Sequence, residues 1–398
     1  MHKTLLVSFL LISTSIFAQT WVQQANMPSP RHHPITFSLN GMGYSATGST
    51  LNNQVTNDFY DYNPITNTWG TMPSFPGPAR SFGISTLSNG KAYLGFGVTR
   101  TQYLKDFWSF DATDSSWTQL ASCVCNARRH PAMVSTGNKI YVGLGNDASG
   151  DLNDWWMYDI IANTWMQISD LPGIPRHHPF MFNAGGEVFA GMGHGGGIIH
   201  NDWYKLDTAT NSWTTMSPFP GEARVAGTQF EVNGYGYVLS GDGSNHSFMS
   251  TGEMWRYDPN GDSWMQMLSH PNQSRWAPGS FVINDEVYFF GGLNRATNLF
   301  PNESWKFDLT DTTSSINEID QVLENTFIYP NPSSDFIFWK SHRSISDVRV
   351  YNGVGQLVFT SAANVQRMDV NGLNDGLYFV QFFDRTKIIK TSKVLIQR

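Results

Sequence analysis

The chain has 398 residues, a formal net charge of −7, 36 Gly, 14% aromatic and only 14% charged residues. That length exceeds one ordinary compact core, so two domains or a repeat architecture is expected, and the composition suits short strands and turns rather than helices. Only two cysteines occur, Cys123 and Cys125, which excludes a disulfide-stapled scaffold.

Residues 1–18 read as a secretory signal peptide. His2 and Lys3 precede an apolar run from Leu5 to Phe17, and Ala18 is the small residue before Gln19. The run is too short to anchor in a bilayer, and no later stretch approaches the roughly 18 apolar residues of a membrane helix. The mature chain is expected to be exported, with no transmembrane segment.

Residues 19–313 are periodic. Trp21, Trp69, Trp117, Trp165, Trp213 and Trp264 are separated by 48, 48, 48, 48 and 51 residues. Arg31, Arg80, Arg128, Arg176, Arg224 and Arg275 keep the same step, as do Asp58, Asp106, Asp154, Asp202, Glu253 and Glu303. Each period divides into four predicted strands. The first begins after the Arg and ends at a two-residue turn such as Asn40-Gly41 or Asn233-Gly234. The second carries an aromatic four residues before a Gly, as in Tyr141 and Gly145. The third alternates from its acidic start, and the fourth holds the Trp. In this order the turn, the Gly, the acidic-x-aromatic strand and the Trp resemble kelch repeats, although the doublet glycine of that family survives only as Gly291-Gly292. The repeat Arg and Trp residues are expected to be structural.

Trp305 aligns with third-strand residues Tyr60, Trp108, Trp156, Tyr204 and Trp255, and Ser314 stands where the sixth fourth-strand Trp would fall. Trp21, in turn, has no repeat before it. The expected fold is therefore all-β: a six-bladed kelch-type β-propeller closed by the N-terminal strand at residues 20–26, followed by a small Ig-like β-sandwich.

Residues 314–325 are a polar linker. Residues 326–398 read as alternating strands separated by Asn-Gly and Asp-Gly turns. Tyr329-Pro330-Asn331-Pro332, the turn from Tyr351 to Gly355, Gly376-Leu377-Tyr378 and the Lys-rich end resemble the type A sorting domain of type IX secretion, the Por secretion tail. The resemblance implies the type IX machinery as a partner. It also implies delivery through the periplasm to the outer-membrane surface or the medium.

Removing the nine Lys/Arg and seven Asp/Glu of residues 320–398, and Lys3, leaves 15 basic and 25 acidic residues. With no basic run, nucleic acid is not an expected partner. The candidate site is instead the repeated motif after the Arg, which reads RHHP at 31–34, RRHP at 128–131 and RHHP at 176–179. His33, His130 and His178 begin the innermost strands and should ring the central opening, where the other repeats place Phe82, Ala226 and Ala277. Asp147, Asp151, His194, His200, Asp242 and His246 lie in second-to-third-strand loops on the same face. One reading makes these histidines partners of backbone carbonyls. The other makes His33, His130, His178, His194, Arg129 and Trp276 a pocket for sugar hydroxyls or a carboxylate. No metal centre is assigned, because histidines from three repeats hold an ion only if they converge within about 4–5 Å. His194 to Gly197 is expected to be a flexible loop. Cys123 and Cys125 could ligate a metal beside His130 or remain thiols, but in an oxidising compartment a local disulfide is the expected state.

The leading functional expectation is a secreted or surface-displayed monomeric module that binds a glycan or protein and carries no cofactor. The runner-up is a sugar-active enzyme resembling the six-bladed sialic acid epimerases. Arg100, Arg129 and Arg295 are extra arginines near the loops, but no acidic residue pairs with one by spacing.

Overall fold

The computed structural model describes residues 20–51, 54–310, 327–329, 332–340, 345–353, 355–362, 367–384 and 387–397. The expected signal peptide, the expected linker and Ser314 lie outside these described residues. The chain divides into two compact units, Met1–Thr310 and Asp311–Arg398.

The first unit contains six four-stranded antiparallel sheets, one per repeat. In the third, Ala132–Thr136, Lys139–Gly143, Trp155–Asp159 and Thr164–Ile168 lie in spatial as well as chain order. Both residues of the Asn40-Gly41, Asn89-Gly90, Gly185-Gly186, Asn233-Gly234 and Asn284-Asp285 turns have positive φ. That twist matches a two-residue antiparallel hairpin. Alternation buries one set of side chains against each neighbouring sheet. Tyr93 and Phe107 of the second sheet share a core with Ile140 and Tyr158 of the third, and Phe281 and Phe290 of the sixth share one with Tyr62 of the first.

Two repeated devices hold the fold, one between neighbouring repeats and one within each repeat. The fourth-strand indoles reach back one repeat, as Trp69 Nε1 donates to Ala25 O at 3.1 Å and Trp165 Nε1 to Ala121 O at 2.8 Å. Every repeat Arg is buried and pairs with the acidic residue that opens its own third strand. Arg128 donates from Nη1 and Nη2 to the two Asp154 oxygens at 2.7 Å each, and to Leu144 O and Asn126 O at 3.1 Å each. The sixth pair, Arg275 and Glu303, is looser at 3.5 Å.

The expected fold class, a six-bladed propeller closed by the N-terminal strand with an Ig-like sandwich behind it, is corrected on its closure. Among the described residues no sheet closes on itself into a barrel. The architecture is β-propeller-like, an all-β set of separate open sheets. Val22–Gln24 lies beside Ser304–Lys306, so the N-terminal strand is the outer edge of one four-stranded sheet with Gly279–Ile283 at its other edge. The physical reason is that ladder hydrogen bonds stop at each fourth strand, and one sheet meets the next through side chains and single loop hydrogen bonds. Gly48 N, for example, donates to Arg80 O at 2.9 Å, and Gly292 N to Arg31 O at 2.8 Å.

The second unit has a three-stranded sheet and a four-stranded sheet, the latter ordered Leu357–Ala362, Asp347–Tyr351, Gly376–Asp384, Lys387–Ile396. Trp339 and Met368 of the first share one core with Val350, Val380 and Val394 of the second. Pro330 and Asn331 lie outside the described residues.

Candidate functional site

The site follows from what each repeat does immediately after its Arg. The next residue (His32, Ser81, Arg129, His177, Val225 or Trp276) makes an antiparallel bridge to the residue after the second-strand Gly: Ser49, Val98, Asn146, His194, Asp242 or Leu293. This bridge explains the Gly. At Gly145 φ is +86°, and a Cβ would stand 2.6 Å from Arg129 O, a separation no side chain tolerates. The residue after the bridge (His33, Phe82, His130, His178, Ala226 or Ala277) takes a left-handed φ of 49–61° in every repeat. Its amide points to the preceding repeat: His130 N donates to Phe82 O at 3.0 Å and His33 N to Ala277 O at 2.9 Å. Equivalent positions thus share one face, and the three histidines converge.

One donor nitrogen from each of His33, His130 and His178 lies within 4.8 Å of the others. His33 Nε2 is 2.9 Å from His178 Nε2, and His33 Nδ1 is 2.7 Å from His32 Nδ1. His130 Nδ1 is 3.2 Å from the Asn146 side-chain oxygen, while His130 Nε2 and His178 Nδ1 are buried without a hydrogen-bond partner. Burial above all, then neighbouring imidazoles and, at His33 and His130, the Arg129 guanidinium, hold the three pKa values well below the usual histidine value. All three are neutral at pH 7.

The remaining predicted site residues adjoin this cluster. Trp276 packs edge-on against His33 with centroids 4.5 Å apart, and the Arg129 guanidinium lies 5.7 Å from the Phe82 and Tyr103 rings. His194 packs on His177 at 5.0 Å and on His246 at 4.7 Å. Polar and apolar groups interleave on this face: Phe82 stands between His33 and His130, with ring centroids 4.1 and 4.4 Å from theirs, while Ala226, Ala277 and Trp276 pack together beside them. Beside the first strands, His33, His130 and His178 also line a cavity of about 150 Å³ with Thr36, Thr228 and Ser280.

Sequence reasoning missed one feature of this face. Arg295 forms an ion pair with Asp242, which is 1% exposed, and lies over the Trp276 ring at 4.7 Å. Burial pushes the Asp242 carboxyl up to about 6, against the opposing pull of Arg295. The two are 53 residues apart in different repeats. The signal that could have found them is that Asp242 follows a second-strand Gly, as Asn146 and His194 do. One further expectation changes. The run from His194 is no loose loop but the tip of a hairpin formed by Glu187–Gly195 and Ile198–Asp207, with Gly196 and Gly197 at φ 59° and 83°. Cys123 and Cys125, in contrast, form the expected local disulfide, and both are buried.

Two family models match the chain: the Kelch motif over residues 127–172, which is the third repeat, and the secretion system C-terminal sorting domain over residues 327–397. Curated relatives include N-acetylneuraminate epimerase of Shigella boydii serotype 4, and N-acetylneuraminate epimerase and epimerase 2 of Escherichia coli. Each is 29% identical over 111 residues, 27% of this chain and 28% of the relative. The chain therefore matches little more than a quarter of those proteins' length. No described helix is long and apolar enough to cross a membrane. The chain joins a kelch-repeat domain to a C-terminal sorting domain of the type IX secretion system, an export signal that delivers the kelch domain to the cell surface or beyond it.

Proposed function

We propose that the kelch domain is a surface-displayed binding module for a glycan or protein, and that a sugar is the class it takes best. The observation that carries this reading is the gathering of His33, His130, His178, His194, Arg129 and Trp276 on one face where imidazoles and a guanidinium stand beside aromatic rings. A sugar presents the same combination of hydroxyl edge and apolar ring face. The cavity of about 150 Å³ is too small for such a ligand, since pockets for small molecules start near 300 Å³, so the sugar sits on the outer face. The test is a glycan array probed with the full-length chain. Binding that disappears in both Arg129→Ala and Trp276→Ala supports the reading; hits indifferent to both place recognition elsewhere.

A second reading, acid/base chemistry on a sugar, draws on Asp242. A buried carboxyl titrating near pH 6 beside a guanidinium is suited to moving a proton at neutral pH. The short match to proteins named N-acetylneuraminate epimerases points to the same substrate class. Anomer exchange of N-acetylneuraminate followed by NMR tests it. Acceleration by the chain that vanishes in Asp242→Asn favours the enzyme, and no acceleration leaves the binding module.

A further inference from the structure

The geometry points to a divalent transition-metal site, of the zinc type, formed by His33, His130 and His178 at the start of three first strands. Neither the sugar-binding reading nor the acid/base reading is needed for it. Three observations carry it.

The first is convergence. Zinc held by imidazoles at about 2.0–2.1 Å in a tetrahedron requires donor nitrogens about 3.3 Å apart. The His33 and His178 nitrogens are 2.9 Å apart, and all three donors lie within 4.8 Å of one another. The widest side therefore closes by at most about 1.5 Å, within reach of small side-chain rotations.

The second is orientation by outer partners. A ligating imidazole ordinarily gives its other N–H to an acceptor, which fixes the tautomer and aims the bare nitrogen at the metal. His130 Nδ1–H faces the Asn146 side-chain oxygen, so Nε2 carries the lone pair, and that atom is buried with no partner of its own. His33 likewise sets its Nδ1 against His32 Nδ1, but its Nε2 shares a hydrogen bond with His178 Nε2 at 2.9 Å, so one of those two nitrogens carries a proton that the metal would displace. An acceptor nitrogen buried without a donor is costly to leave empty.

The third is donor chemistry. The set is three nitrogens with no oxygen, which selects zinc, copper or nickel over calcium or magnesium. Three protein ligands leave the fourth tetrahedral position to water or a ligand oxygen, the composition of open zinc sites rather than closed structural ones.

The test uses the untagged full-length chain, stripped with chelator and titrated with zinc chloride by calorimetry and with cobalt(II) by absorption. The expected result is one equivalent bound per chain and a four-coordinate cobalt spectrum. Affinity should fall at least tenfold in His130→Ala, and roughly 10- to 100-fold in the positioning variant Asn146→Ala. Alanine is tolerated at the left-handed position, because Ala226 and Ala277 occupy it at φ 53° and 49°. His200→Ala, whose ring instead faces Gly195 O at 2.9 Å, should leave binding unchanged. No zinc uptake at stoichiometric concentration overturns the site, as does undiminished uptake in His130→Ala or loss only in His194→Ala or His246→Ala.

Discussion

Truncating Arg128 to Ala should be among the most destabilising single changes in the kelch domain. Its guanidinium is fully buried and makes four hydrogen bonds, two to Asp154 and one each to the carbonyls of Leu144 and Asn126. Without it, Asp154 retains the Trp156 indole N–H at 2.7 Å but loses its counter-charge, and two carbonyls lose a donor. Breaking a buried pair from one side costs about 3–5 kcal/mol. At roughly 2 °C per kcal/mol for a domain of this size, the melting midpoint should fall by about 6–10 °C. Tryptophan fluorescence in a urea or thermal titration of the full chain reports it, since 13 of the 14 tryptophans lie in the first unit and only Trp339 in the second. Arg275→Ala should cost less, because its carboxylate is already 3.5 Å away. The double replacement Arg128→Met with Asp154→Leu should recover most of the loss, because the orphaned charge leaves with its partner. A loss below about 1 kcal/mol in Arg128→Ala, or no recovery in the double variant, refutes the claim that these pairs hold the loops that carry Arg129 and His130.

Three further outcomes are expected. Removing residues 20–27 exposes the Ser304–Asp308 edge and strips Met27 and Trp21 from their cores, so the melting midpoint should drop; an unchanged midpoint contradicts the edge-strand role. Stability should also fall as pH drops below about 6.5. His33, His130 and His178 resist protonation in the fold, and His270 is pushed down to about 3, so the unfolded chain binds more protons and each group removes up to about 1.4 kcal/mol per pH unit. Asp242 opposes this as one group, regaining stability below about 6, and a flat profile from pH 7 to 5 sinks the neutral-imidazole assignment. Deleting residues 326–398 should leave a folded kelch domain in the periplasm, read by cell fractionation; normal surface delivery removes the sorting role.

The repeat was legible because Arg, Gly and Trp each meet a positional demand that no other residue fills. A buried five-donor fork, a left-handed turn under a carbonyl, and an indole reaching one repeat back recur at a fixed step. The arrangement of separate open sheets was less legible, since a missing Trp at Ser314 identifies a lone strand but not whether its pairing closes a sheet. The gathering of His33, His130 and His178 followed from equal positions in equal repeats. Their distances did not, because these depend on the left-handed φ that turns each ring inward. The Asp242 and Arg295 pair escaped notice because the two residues join loops of different repeats, and the period carries no information about loop side chains.

The central claim is that the face around His33, His130 and His178 is the binding face. Its most direct test is the binding isotherm of the strongest glycan-array hit, measured by calorimetry on the full-length chain and on the His33→Ala, His130→Ala, His178→Ala triple variant. Loss of binding with the melting transition preserved is the predicted result; an unchanged isotherm in a folded triple variant contradicts it.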